Sequence, residues 1–204
     1  MANGRVITGF SMPWVALYAE NAGAVSYSGG TPLARGVSVS LSVEGSSDNG
    51  FYADKVLAES DRQAFTSGTV TLTVDGLKAT TRKLITGTTS TTSVTIGSGT
   101  TTTVTGDVFD DLAVIPYVGI GYIVRYMEDG VTSYVPTVLY KCKFSDPPTD
   151  AETQGESIDF QTTALEATIM RDDSTNHRWK VEFAAQATES AALDVIKAVL
   201  TPAA

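Results

Sequence analysis

One cysteine, one histidine and two tryptophans are all that this 204-residue chain holds of those types. With Cys142 alone, no intrachain disulfide and no thiolate zinc cluster can form, so stability has to come from a packed core. Cys142 itself is expected in the core or at an interface. Basic charge is also scarce. Fourteen Lys and Arg stand against 23 Asp and Glu, a net charge of −9, and no basic run exists to track a phosphate backbone. This balance argues against tight nucleic-acid binding; a surface of this sign repels DNA and lets it slide past. No apolar run reaches the roughly 18–20 residues that a membrane helix needs. The opening Met1–Phe10 lacks the basic stretch and apolar segment of a signal peptide. The expectation is a chain made in a cytoplasm and soluble until it assembles or is released.

What is present favours strands. Hydrophobic residues make up 42% of the chain, and Thr, Val and Gly outweigh the good helix formers. The length suits one all-β or β-rich domain over 1–204. The clearest local signal lies between Pro116 and Pro148. Two apolar runs, 117–127 and 131–144, flank Glu128-Asp129-Gly130, and a short Asp-Gly link between aromatic and β-branched residues predicts a long β-hairpin. Val37, Val39, Leu41 and Val43 alternate with serines, and Val70, Leu72 and Val74 alternate with threonines, predicting two strands that pair with each other. Residues 1–36 read as an N-terminal arm and short strands, with Met12-Pro13 blocking helix. Residues 165–170 and 178–184 read as further strands, Trp179, Val181 and Phe183 sharing a face.

Three connections stand out. Residues 45–67 are far longer than a hairpin needs and carry a small apolar centre at Phe51-Tyr52 and Val56-Leu57, which predicts a functional, protruding loop. After Asp75-Gly76, residues Leu77, Leu84 and Ile85 fall on one helical face, with Asp75 as the cap and Gly87 as the stop. Residues 86–106 are almost entirely Thr, Ser and Gly, with Val94, Ile96 and Val104 as the apolar points. They read either as an exposed hairpin that firms up against a neighbour or as a mobile strap. An amphipathic C-terminal helix is predicted over 188–201 from Ala192, Leu193, Ile196, Val199 and Leu200, capped by Thr188 or Ser190.

Catalytic chemistry finds little footing. His177 sits among Asp172, Asp173 and Asn176, but the spacing matches no calcium loop, and turn formation accounts for these residues. No serine lies in a Gly-x-Ser-x-Gly elbow. The pairs Asp110/Asp111 and Asp159/Glu166 read as solvated faces rather than as the two carboxylates of a glycosidase. Gly119 and Gly121 open a strand rather than a helix, so they mark a close backbone approach or a kink, not a dinucleotide loop. Neither catalytic residues nor a cofactor or metal site is expected.

The order of the pieces carries a resemblance. Phe51-Tyr-Ala-Asp-Lys-Val56, Val74-Asp-Gly-Leu77 before a short helix, Pro116-Tyr-Val-Gly-Ile-Gly-Tyr-Ile123, the stretch 153–162 with Leu165-Glu-Ala-Thr168, and a closing strand plus helix together resemble the major tail proteins of long-tailed bacteriophages. The likeness runs from about residue 25 to 200, and the Thr-rich insert 86–106 is the part least like the family. It implies a β-sandwich or half-barrel of the tail-tube type with a flanking α-helix and a C-terminal helix. It further implies a virion protein forming hexameric rings that stack into a tube through which DNA passes without specific binding. Partners by family analogy would be the tape measure protein and the tail terminator and initiator proteins. Loop 45–67 is then expected to reach the adjacent ring through Phe51, Tyr52, Asp54, Lys55 and Val56, and 146–156 is a further candidate bridge. The alternative from another class is a carbohydrate-binding or adhesion β-sandwich module.

Overall fold

The computed structural model describes residues 4–45, 50–53, 56–60, 65–97, 101–153 and 160–201. It is mainly β, as the alternating patterns require. One eight-stranded antiparallel sheet dominates. Its path begins at β2 (Ala24–Pro32) and runs through β1 (Val6–Asn21), β9 (Val118–Glu128), β10 (Val131–Phe144), β11 (Thr163–Met170) and β6 (Phe65–Val74) to β3 (Gly36–Gly45). A three-residue strand, β12 (Lys180–Glu182), pairs with β10 at Thr137–Leu139, while β11 pairs with the same strand at Lys141–Phe144. Two small hairpins lie outside this sheet: β4 (Gly50–Ala53) with β5 (Val56–Ser60), and β7 (Thr91–Ile96) with β8 (Thr102–Asp107).

The predicted central hairpin is present and explains the middle of the sheet. Asp129 and Gly130 both take positive φ (48° and 79°), the conformation that a two-residue primed turn demands. Val118, Ile120 and Tyr122 on β9 enter a core shared with Val15, Leu72, Leu139, Leu165 and Ile169. Their neighbours Gly119, Gly121 and Ile123 face the other way. A β-bulge between Leu139 and Cys142 lets β10 place both of those side chains in the same core although they stand three residues apart. The strand would otherwise point them to opposite faces.

The outer face of β1, β9 and β10 is closed by α2 (Glu189–Leu200), whose Ala192, Ile196 and Leu200 pack on Ala16, Ile123 and Val138. Thr188 caps this helix by accepting a hydrogen bond from the Ala191 amide at 3.2 Å, one of the two capping residues that the sequence offers. β9 and β10 are thus buried on both faces. The expected partnership of β3 with β6 is also observed, with Val39 opposite Leu72 and Leu41 opposite Val70.

Three local features differ from the sequence expectation. Residues 6–32 form two long strands, not short ones, because Met12-Pro13 sits at a bulge in β1 where a proline costs no ladder hydrogen bond. α1 (Ala79–Thr86) begins after Lys78 without a side-chain cap. The Asp75 carboxylate is diverted instead to the Arg35 amide and guanidinium, at 3.0 and 2.6 Å. Gly87 ends α1 as predicted, in the left-handed conformation at φ 70°. Finally, Trp179 does not share a face with Val181 and Phe183. The β12 ladder stops short of it, so Trp179 stacks on Phe65 in the inner core, while Val181 and Phe183 pack toward α2.

Candidate assembly surfaces

The groups most suited to chemistry are consumed by structure. Asp172 is buried, and its carboxylate accepts from the Arg178 amide (2.7 Å), the Arg178 Nε (2.9 Å) and the Ser174 hydroxyl (2.6 Å), closing the turn that carries His177. His177 takes φ 49° and places Nδ1 3.3 Å from the Asp172 carbonyl oxygen, a turn position of the kind Asp, Asn and His tolerate. Asp173 receives Lys141 Nζ at 2.6 Å and the Tyr18 hydroxyl at 2.8 Å. The lysine hydrogen bond holds its carboxyl below the usual range, and burial pushes the Tyr18 phenol up to about 12. Burial likewise drives the Cys142 thiol far above its ordinary value, leaving an inert core residue. Among the described residues no three His, Cys, Asp or Glu side chains converge as metal ligands.

Asp110 forms a local turn by accepting from the Leu112 amide at 3.1 Å, and Glu166 projects into solvent from β11. Asp159 lies outside the described residues. Gly119 and Gly121 do mark a close approach: a Cβ on Gly119 would lie 2.6 Å from Leu200 Cδ2, and one on Gly121 would overlap Ile196 Cγ2. The two glycines are what lets α2 lie on the sheet.

The surfaces are different in character. Among the described residues the sheet has two open borders, β2 and β3, and β3 exposes Val37 and Val43. Among the described residues the first half of β1 pairs with β9 alone, and there Val6, Ile7, Met127 and Val131 gather exposed apolar side chains at the tip of the central hairpin. Connection 45–67 holds the β4–β5 hairpin, with Tyr52 opposite Leu57 and Ala53 opposite Val56, and it continues from the far end of the β3–β6 ladder. Of the five residues proposed to touch another ring, Phe51, Tyr52 and Val56 lie on these paired strands, and Asp54 and Lys55 fall outside the described residues.

No protein-family model and no curated protein matches the chain.

A cavity of about 300 Å³ that no sequence pattern announces lies between α1 and the segment 108–116, lined by Arg82, Thr86, Phe109, Ile115 and Pro147, with Asp110, Asp111 and Asp146 also on its wall. The Arg82 guanidinium lies over the Phe109 ring at 5.5 Å and donates to the Pro147 carbonyl at 3.2 Å. These residues come from three separate parts of the chain, so no local pattern could have revealed their meeting.

Proposed function

We propose that this chain is a structural, self-assembling virion subunit, the tube-forming protein of a long-tailed bacteriophage. Copies close into hexameric rings, and the rings stack into a hollow passage for DNA. The observation that carries the reading is a single large sheet whose core strands are buried on both faces while its two border strands find no further partner among the described residues. Open borders are aggregation hazards unless they are covered, and cyclic closure with copies of the same chain covers them. The net charge of −9 suits a lumen that must not hold its cargo. The β4–β5 hairpin, with Phe51, Tyr52 and Val56, is the element proposed to bridge adjacent rings. A tape measure protein in the lumen and terminator and initiator proteins at the ends would be the further partners.

A carbohydrate-binding module is the weaker reading, because Trp14 and Trp179, the natural sugar platforms, both pack against the body of the protein. Negative-stain imaging of the concentrated chain, with sedimentation in parallel, tests the assignment. Six-fold rings or tubes with a central hole are expected. A species that stays monomeric at every concentration and under every salt condition would remove the proposal.

A further inference from the structure

Seven of the fifteen large hydrophobic side chains left exposed among the described residues fall between Val94 and Tyr117. Three of them stand on the β7–β8 hairpin. Its register sets Val94 against Val104 and Ile96 against Thr102, so Val94, Ile96 and Val104 share one face, exposed by 59%, 55% and 47%. The other face is a row of hydroxyls, with Ser93 bonded to Thr105 at 2.9 Å and Thr95 to Thr103 at 3.4 Å. Among the described residues no third strand joins the pair. A two-stranded hairpin is marginal in water by itself, and this one presents three large apolar side chains, flanked by Thr92 and Thr102, to solvent.

Charge identifies what covers it. Between Lys83 and Asp107 the chain carries no charged residue, and those two flanking charges neutralise each other at 2.5 Å at the base of the hairpin. The hairpin is therefore a neutral arm on a molecule of net charge −9. Two such molecules repel each other generally, and a neutral apolar arm is the part that can cross that barrier without desolvating a charge of its own. The matching acceptor is on the same chain. Immediately after Asp107, Phe109, Leu112 and Val114 are exposed, the last two by 84% and 79%, beside the cavity under Arg82. Arm and acceptor are both exposed, so neither covers the other within one molecule.

We propose that the β7–β8 hairpin is an arm that lays its Val94, Ile96 and Val104 face on the Phe109–Val114 surface of a second copy of this chain. The inference rests on the reading that copies assemble, and it adds a contact separate from the sheet borders and from β4–β5.

The test uses the full chain carrying Val94→Thr, Ile96→Thr and Val104→Thr together. Threonine keeps the β-branched shape that favours the strands, and none of the three is a core residue. Sedimentation across a concentration series should show assembly displaced to concentrations at least about tenfold higher, from the apolar area no longer buried between copies. In a second arm, a copy bearing Ile96→Cys is mixed with a copy bearing Leu112→Cys and treated with a short bismaleimide; buried Cys142 stays silent. A cross-linked pair of one copy of each is expected. If the native chain assembles and the triple variant assembles at the same concentration with no cross-link, the arm proposal fails and the assembly reading stands. If the native chain never associates, the assembly reading itself fails and takes the arm with it.

Discussion

Gly121→Ala is the sharpest probe of how α2 is seated. Where a glycine in a strand has room, alanine stabilises by roughly 0.4–1 kcal/mol, because the unfolded chain loses freedom and the folded one does not. Gly121 has no positive φ to complicate that gain. It does have a helix against it: the new methyl would overlap Ile196 Cγ2 and lie 3.1 Å from Leu200 Cδ1, and both of those side chains are fully buried. Ile196 is β-branched and cannot rotate away cheaply on a helix. Overpacking of this kind costs about 1–3 kcal/mol, so the expected net effect is a loss of about 1–2 kcal/mol. Ile196→Ala alone should cost about 2–5 kcal/mol from the cavity it opens. The double variant should lose clearly less than the two together, because the methyl then fills space that the isoleucine has left. Urea unfolding of dilute protein, followed by tryptophan fluorescence with unchanged slope, measures all three. An alanine variant as stable as the parent, or a double variant with strictly additive losses, would refute the close seating of α2 on β9.

Two further expectations follow from buried polar groups. Asp172→Ala should cost about 2–3 kcal/mol in thermal or urea unfolding, below the usual range for a broken buried pair because Arg178 can return to water; a change within about 0.5 kcal/mol would mean that the turn 172–178 does not depend on it. Burial raises the phenols of Tyr27 and Tyr122 above their unfolded value near 10, so their contribution is complete below that pH and is lost as pH rises beyond it. Tyr27→Phe, which also gives up the bond to the Tyr140 carbonyl, should therefore flatten the fall in stability above pH 10 by about 1.4 kcal/mol per pH unit, and an unchanged slope would show the phenol titrating normally.

The parts of the fold legible in the sequence are those decided within a few residues. Asp129-Gly130 could be read because only a primed turn accommodates that pair between β-branched runs, and α2 because Thr188 and an apolar stripe of helical period lie side by side. The Thr-rich segment 86–106 was only half legible: its threonines favour extended backbone, but a hairpin and a mobile stretch fit its composition equally, and the pairing of Val94 with Val104 decides for the hairpin. Misread elements were each decided by a distant partner. Asp75 was available to cap α1 until Arg35, forty residues earlier, took its carboxylate. Trp179 left its expected face because Phe65 offers a ring to stack on, with centroids 4.6 Å apart. Pro13 was tolerated in β1 because a bulge fell on it. The cavity under Arg82 belongs to the same class, since α1, 108–116 and 146–147 meet only in the folded chain.

The distribution of burial links the two assembly arguments. β9 and β10 are enclosed by the inner core on one side and by α2 on the other, so the centre of the sheet gains nothing more from a neighbour. Everything unfinished lies at the margin: β2 and β3 as borders, the hairpin tip with Val6 and Val131, and the neutral arm beside Leu112. A monomeric binding protein gains nothing from leaving so many separate apolar margins open, because each raises its tendency to associate. A ring-former requires at least two distinct ones, since a head-to-tail contact joins unlike surfaces, and stacking the rings into a tube requires two more. The arm and its acceptor supply such an unlike pair on one chain, the arm neutral where the rest of the molecule is acidic.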